Sequence, residues 1–429
     1  MKNVSAINLK SYIYQIISIG LSAINVKLCL NLFDDTGYSS WVLILSLINI
    51  CYAFDLGAGC SIRNALAKSV SESSTVVTQA RMIVLYYNKI LVLAFWLFIA
   101  LLLVGLINIK IGWLNSFGFY QYSTVLVLII IDFVSRAHHP IFAGIQKPHI
   151  SNLALALNQF SLYLCLQFIF VPSKIRVADK LFLLSVTMIC SSILINLAFL
   201  VKLNRVVPLI RDWSNPKSLS IFSRDAGIFN EESFLFFLMQ ITFTLLGQVT
   251  GYFVFAKFSP ESLVDISIAE KVFAPLIIGA TILMYPFWSA YTVMWHRGEF
   301  DRIRILIKRQ ELLSFVGILG LVVCCGFYDK IISIWLNREV KNYFIPCFIA
   351  LKVFAIILNS VYSYFMNGIG AVKPQIAVYS LGLLASVILL FFGGLYGNIY
   401  ICLSATPVVF LVSALIQRYC IFKEMLVRQ

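Results

Sequence analysis

Long apolar runs, separated by short polar segments, recur along the 429-residue chain. The runs are continuous rather than alternating, and most approach the roughly 20 residues that a helix needs to cross a bilayer. They therefore predict spanning helices and not the ten-residue alternating strands of a membrane barrel. Twelve segments fit: 11–32, 39–59, 83–107, 121–143, 151–171, 180–201, 233–255, 266–293, 312–328, 343–366, 375–393 and 396–416. The eighth is long for one simple span, and the last two are divided at Gly393-Gly394. The largest polar segment, 203–230, holds Pro208, the stretch SNPKS and several charges, and it separates six runs from six. The expected organisation is an N-terminal lobe over 1–202, an inter-lobe linker over 203–230 and a C-terminal lobe over 231–429. The fold class is an all-α integral membrane protein of about twelve transmembrane helices, in two six-helix lobes around a central cavity.

A short internal likeness supports the two-lobe division. The stretch FAGIQKPHI (142–150) and the stretch FMNGIGAVKPQI (365–376) each carry a Gly-Ile step, then Lys-Pro, then a polar residue and Ile. Each follows the fourth predicted helix of its lobe. The segments after the second helix, RNALAKS, and after the eighth, HRGEFDRIRILIKR, are both basic. Internal repeats of this kind are common in secondary transporters, whose binding sites lie between the repeats.

Composition agrees with the pattern. The chain is 60% hydrophobic and only 12% charged, with a mean hydropathy of +0.91, whereas soluble domains carry about 25% charge. The first apolar run is expected to be a retained helix rather than a cleaved signal. The net charge of +14 would suggest nucleic acid in a soluble chain. Here the distribution of the charges gives another reading. With the N-terminus inside, 20 Lys and Arg residues fall in inner loops and 8 in outer ones, so both termini are expected in the cytoplasm. No nucleic-acid partner is implied. The ten cysteines are scattered without a C-x-x-C pair and are expected as apolar free thiols. His138, His139, His149 and His296 lie near inner helix ends, where solvated side chains are expected and no metal site is. No phosphate-binding loop, H-E-x-x-H or G-x-S-x-G pattern occurs, so neither a catalytic residue nor a cofactor is expected, and the chain is not read as an enzyme.

Polar groups inside hydrocarbon are costly and tend to face protein or water. Gln15, Ser18, Ser22 and Asn25 form one stripe on the first helix; Gln240, Thr244, Gly247, Gln248 and Gly251 form another on the seventh. They are read either as paired cavity walls or as ordinary polar helix packing. Asp132 and Arg136 stand at i and i+4, where a structural ion pair and a functional role are both open. Lys352 lies about 13 Å of helix from the nearer end, too deep for easy snorkelling, and Asn359 shares its face. Glu270-Lys271 stands near the start of the eighth helix, and Lys27 and Lys89 lie nearer helix ends. The excess is positive, which suits an anion such as a phosphate or pyrophosphate head group. The expected substrate contacts are Lys352, Arg136, Lys271, Asn359, Gln15, Gln240 and Gln248, with Asp132 and Glu270 as the acids that could couple transport to an ion.

Four segments carry a resemblance. FDLGAGCSIRNALAKS (54–69), YPFWSAYTVMWHRGEFDRI (285–303), DKIISIWLN (329–337) and FMNGIGAVKPQI (365–376) occur in the same order as similar segments of Wzx-type O-antigen and polysaccharide flippases. These belong to the multidrug/oligosaccharidyl-lipid/polysaccharide exporter superfamily. The resemblance implies alternating access in the bacterial inner membrane. It implies a substrate of undecaprenyl-pyrophosphate-linked repeat units for lipopolysaccharide or polysaccharide biosynthesis, and a polymerase and chain-length regulator of the same pathway as partners. It places Arg63, Asn64 and Arg297 at a cytoplasmic gate or loop. The chain departs from the family pattern at Cys60 and Ser61, where an Asn is frequent, and at Gln248 and Thr250, where many members carry an Asp. Two other functions remain open at this stage: a membrane O-antigen polymerase, which would be expected to show a large periplasmic loop, and a multidrug exporter.

Overall fold

The computed structural model describes residues 2–71, 76–111, 119–145, 147–171, 177–206, 231–340, 342–369 and 371–427. The described residues form helices and the turns between them, with no strand. The protein is an all-α, multi-pass membrane protein. Nine of its helices are long and apolar enough to cross a bilayer among the described residues, or ten if one bent pair is a single span. The outward faces are apolar, with Phe168, Leu194 and Leu381 each more than two-thirds exposed. Such faces suit a helix whose backbone bonds are all internal and whose neighbour is lipid.

The chain divides into two compact units, Met1–Gln240 and Ile241–Gln429. The first contains α1 (Lys2–Leu32), α2 (Asp35–Tyr52), α3 (Ala58–Ser71), α4 (Val76–Ile111), α5 (Phe119–Ser135), α6 (His138–Gly144), α7 (Pro148–Cys165, followed by a π-turn to Phe170) and α8 (Val177–Val206). Helix α1 runs along α7, and α5 lies against α4 and α8. Helix α9 (Glu231–Lys257) bridges the division in sequence. The second unit continues with α10 (Pro260–His296), α11 (Phe300–Gly326), α12 (Tyr328–Leu336), α13 (Phe344–Gly368), α14 (Lys373–Leu395) and α15 (Ile399–Val427). There α13 packs against α10, α11 and α15, and α14 packs against α15.

Every expected segment falls on helical chain; the fourth, 121–143, covers α5 and α6 with a turn at Arg136-Ala137 between them, and three others change boundary. The second was expected to run from 39 to 59, but α2 stops at Tyr52. Leu56 (φ 51°) and Gly57 (φ 69°) then turn the chain in the left-handed region. The Asp55 carboxylate accepts the backbone N–H groups of Gly57 and Gly59, each at 3.0 Å, and so caps the start of α3. The ninth was expected from 312, but α11 already begins at Phe300: the basic stretch after the eighth helix is helical, not loop. Helices α11 and α12 meet at a bend of 60°. The last two helices part at Gly397 (φ 62°) instead of Gly393-Gly394. Those two glycines lie inside α14 instead, where a Cβ on Gly393 would strike Cys402 and one on Gly394 would meet Phe253. Most of the linker expected over 203–230 lies outside the described residues.

The two Lys-Pro stretches adopt one turn. After α6, Ile145 N–H donates to Ile141 O at 3.0 Å and Lys147 N–H to Phe142 O at 2.8 Å. After α13, Ile369 N–H donates to Phe365 O at 3.1 Å and Ala371 N–H to Met366 O at 2.9 Å. The offsets from the Gly-Ile step are identical, and they satisfy helix C-terminal carbonyls in the same way. In both cases Pro stands in the first turn of the next helix, where its missing N–H costs nothing. Gly144 also lets α6 approach α3: a Cβ there would lie 2.9 Å from Leu66 Cβ and 3.0 Å from Arg63 O. Gly144→Val should therefore force a backbone shift costing about 1–3 kcal/mol. The expected result is a lower melting temperature of the purified protein in detergent; an unchanged value would show this contact to be dispensable.

Candidate functional site

Apart from the pairs Glu299–Arg302 and Asp301–Arg304 at the start of α11, three acids among the described residues are each bonded to a base, in three different settings. In the first unit, Asp132 on α5 is fully buried, and Arg136 Nε one turn later lies 2.9 Å from its Oδ2. Tyr52 OH on α2 also donates to Oδ2. Its Oδ1 accepts from Ser192 Oγ at 2.8 Å and Asn196 Nδ2 at 3.2 Å, both on α8, and from Ser135 Oγ at 3.2 Å. Arg136 also donates to Ser192 Oγ at 2.9 Å and lies over the Tyr52 ring, 4.3 Å from its centroid. A buried carboxylate is tolerated only when its acceptor capacity is met by charge-assisted bonds. Here three helices supply the donors.

In the second unit, Lys352 Nζ on α13 lies 2.7 Å from Glu270 Oε1 on α10. The Lys352 side chain is 15% exposed and that of Glu270 44%. The third acid, Glu311 on α11, accepts from Tyr362 OH at 2.7 Å on α13 and from Arg418 Nε at 2.9 Å on α15.

The other expected site residues are distributed as follows. Lys352 and Asn359 share a helix, but the structure does not bring them together. Asn359 is buried in an amide-hydroxyl network, donating to Tyr379 OH at 2.7 Å and accepting from Gln417 Nε2 at 3.0 Å. Ser363 and Ser413 complete that network. Lys271 is exposed beside Glu270 on α10, and Gln240 and Gln248 are half-buried on α9. Gln15 is half-buried on α1. The polar stripe of α1 meets α7 near both ends: Asn152 donates to Ser11, and Asn25 Nδ2 donates to Gln159 O at 2.9 Å. Helix packing thus accounts for Ser11 and Asn25. Arg63 lies on α3 with its carbonyl against Gly144, and Arg297 is exposed at the end of α10. The side chain of Asn64 lies outside the described residues.

His138 corrects an expectation. It is buried, with Nδ1 2.8 Å from Ser135 O, and it stacks on His139 and Phe199. No cluster of His, Cys, Asp or Glu that could hold a metal ion occurs among the described residues, and all ten cysteines are free.

Tyr52, Ser192, Asn196, Glu311, Tyr362 and Arg418 were not anticipated as site residues. One signal was present: Ser185, Ser192 and Asn196, at spacings of 7 and 4, form a polar stripe on an otherwise apolar helix, and all three are buried. Glu311 was hidden by the assumption that the helix begins after it.

No family model matches the chain, and no curated relative matches it. Solved structures share its fold. A transporter of the MOP superfamily from Pyrococcus furiosus, described as having a binding pocket of reversed polarity, superposes with a TM-score of 0.68 at 12% identity, over 98% of this chain and 95% of that one. An inward-facing multidrug resistance MATE family transporter of the same superfamily gives 0.68 at 12% identity, over 97% and 98%. A MATE transporter of Vibrio cholerae gives 0.63 at 10% identity, over 100% and 99%. The fold is that of the MATE transporters over essentially the whole chain.

Proposed function

We propose that this protein is a flippase that moves undecaprenyl-pyrophosphate-linked O-antigen or polysaccharide repeat units from the cytoplasmic to the periplasmic leaflet of a bacterial inner membrane. The reading rests on a transporter fold combined with a lysine deep in a spanning helix. Lys352 sits beyond easy reach of the helix end and is largely enclosed by protein, yet among the described residues it is held by one acid, itself substantially exposed. A cation so placed can meet an anionic head group. Half-buried Gln15, Gln240 and Gln248 are candidates for contacts to glycan hydroxyls. Arg136 is a weaker candidate than Lys352, because its guanidinium already holds Asp132 and Ser192. The basic ends at Arg63 and Arg297 fit a cytoplasmic gate, and both termini are placed in the cytoplasm by the excess of basic residues in the inner loops.

A multidrug exporter is the second reading, favoured by structural neighbours that are multidrug resistance transporters. The polymerase alternative is set aside, since these neighbours are transporters and not enzymes.

Reconstitution separates the two remaining readings. In proteoliposomes, an undecaprenyl-pyrophosphate-linked oligosaccharide placed in one leaflet should become accessible to a membrane-impermeant glycosidase on the other side. Export of cationic dyes without movement of the lipid-linked sugar would reverse the assignment.

A further inference from the structure

The three ion pairs differ in what would happen if the acid were released. Asp132 has a side chain only 1% exposed and donors from five side chains, so its release would strand a buried charge and several hydroxyl and amide groups. Glu311 is 14% exposed and holds Tyr362 as well as Arg418. Glu270 is different. Among the described residues its hydrogen bond comes from Lys352, and 44% of its side chain is exposed. Among the described residues it can leave Lys352 by side-chain rotation without losing a second partner.

We propose that Glu270 is an exchangeable counter-ion for Lys352, and that this exchange sets the charge the protein demands of its substrate. The inference rests on the head-group reading of Lys352 given above. A resident carboxylate held on a neighbouring helix competes at high effective concentration. A ligand with a single carboxylate offers Lys352 nothing that Glu270 does not already supply, and it is repelled by Glu270 itself. A diphosphate brings more charge and more acceptor oxygens than the resident acid, so it can displace Glu270 and hold it away by repulsion. The pair thus acts as a specificity device: it keeps Lys352 from monoanions and yields to a polyanionic head group. The same exchange leaves Lys352 neutralised at every stage, by Glu270 in the empty protein and by the head group in the loaded one.

The test is a thermal-stability titration of the purified full chain in detergent, using inorganic pyrophosphate and, separately, acetate. Wild type should be stabilised by pyrophosphate and not by acetate. Lys352→Met should lose the pyrophosphate response. Glu270→Gln should bind pyrophosphate about two- to fivefold more tightly, a factor in the range of one partly exposed ion pair, and should begin to respond to acetate. Glu270→Ala serves as a second variant should Glu270→Gln prove unstable without ligand. If wild type responds through Lys352 but both Glu270 variants bind pyrophosphate equally or less well, the exchange is overturned while the head-group site stands. If pyrophosphate stabilises neither wild type nor any variant, the head-group reading falls and takes the exchange with it. A response that persists in Lys352→Met places the anion elsewhere and overturns the exchange.

Discussion

Lys352→Ala is expected to abolish surface polysaccharide while the protein still accumulates in the membrane. The two halves of that result have separate causes. Accumulation should hold because the acid left behind, Glu270, is 44% exposed and not enclosed by protein, unlike Asp132 at 1%. Activity should fail because a mostly desolvated cation facing an anionic group contributes about 2–5 kcal/mol, and tenfold is lost per 1.4 kcal/mol. Flipping should therefore fall by roughly 30-fold or more. The measurements are surface polysaccharide in a strain lacking the native copy and the amount of protein in isolated membranes. Normal polysaccharide at normal protein levels would remove Lys352 from the site.

Asp132→Ala is expected to lose the protein itself. The substitution leaves Arg136 without its carboxylate and takes an acceptor from Tyr52, Ser192 and Asn196 at once. Removing one member of a buried pair costs about 3–5 kcal/mol, a large part of the 5–15 kcal/mol typical of a folded protein. Membrane levels and melting temperature should both drop, with Asp132→Asn intermediate because its amide keeps one acceptor oxygen. A fully stable Asp132→Ala protein that cannot transport would instead make Asp132 a coupling residue. The contrast between these two variants follows from the surroundings of each charge, since both lie well inside spanning helices.

The helices were legible because a bilayer-spanning run is long, continuous and apolar, and each of the twelve expected segments lies on helical chain, though 39–59, 121–143 and 312–328 each cross a turn between two helices. The i, i+4 pair of Asp132 and Arg136 was legible for a similar reason: both partners lie on one helix, whose geometry is known in advance. Bonds between helices were not. Lys352 and Glu270 are 82 residues apart, and each was singled out alone; nothing in the spacing sets the rotation of α13 against α10. The same gap hid Tyr52 and Asn196 around Asp132. Charge density misled at Glu311, where a basic stretch looked like loop but was a helix beginning eleven residues earlier at Phe300. The surroundings of Asn359 were not legible either. It does share a face with Lys352, but that face changes neighbours along its length and meets Tyr379 and Gln417 at Asn359.

The matched turns after α6 and α13 also provide a common register. Aligning Ile145 with Ile369 sets α5 and α6 upon α13 almost end to end, since Phe119–Gly144 then corresponds to Phe344–Gly368 within one residue. In that register Arg136 falls on Ser360, and Lys352 falls on Leu128. The turn and the helix length before it recur, but the charges do not. The ion pairs of the two units therefore use different positions of this register, Asp132 and Arg136 in one and Lys352 in the other.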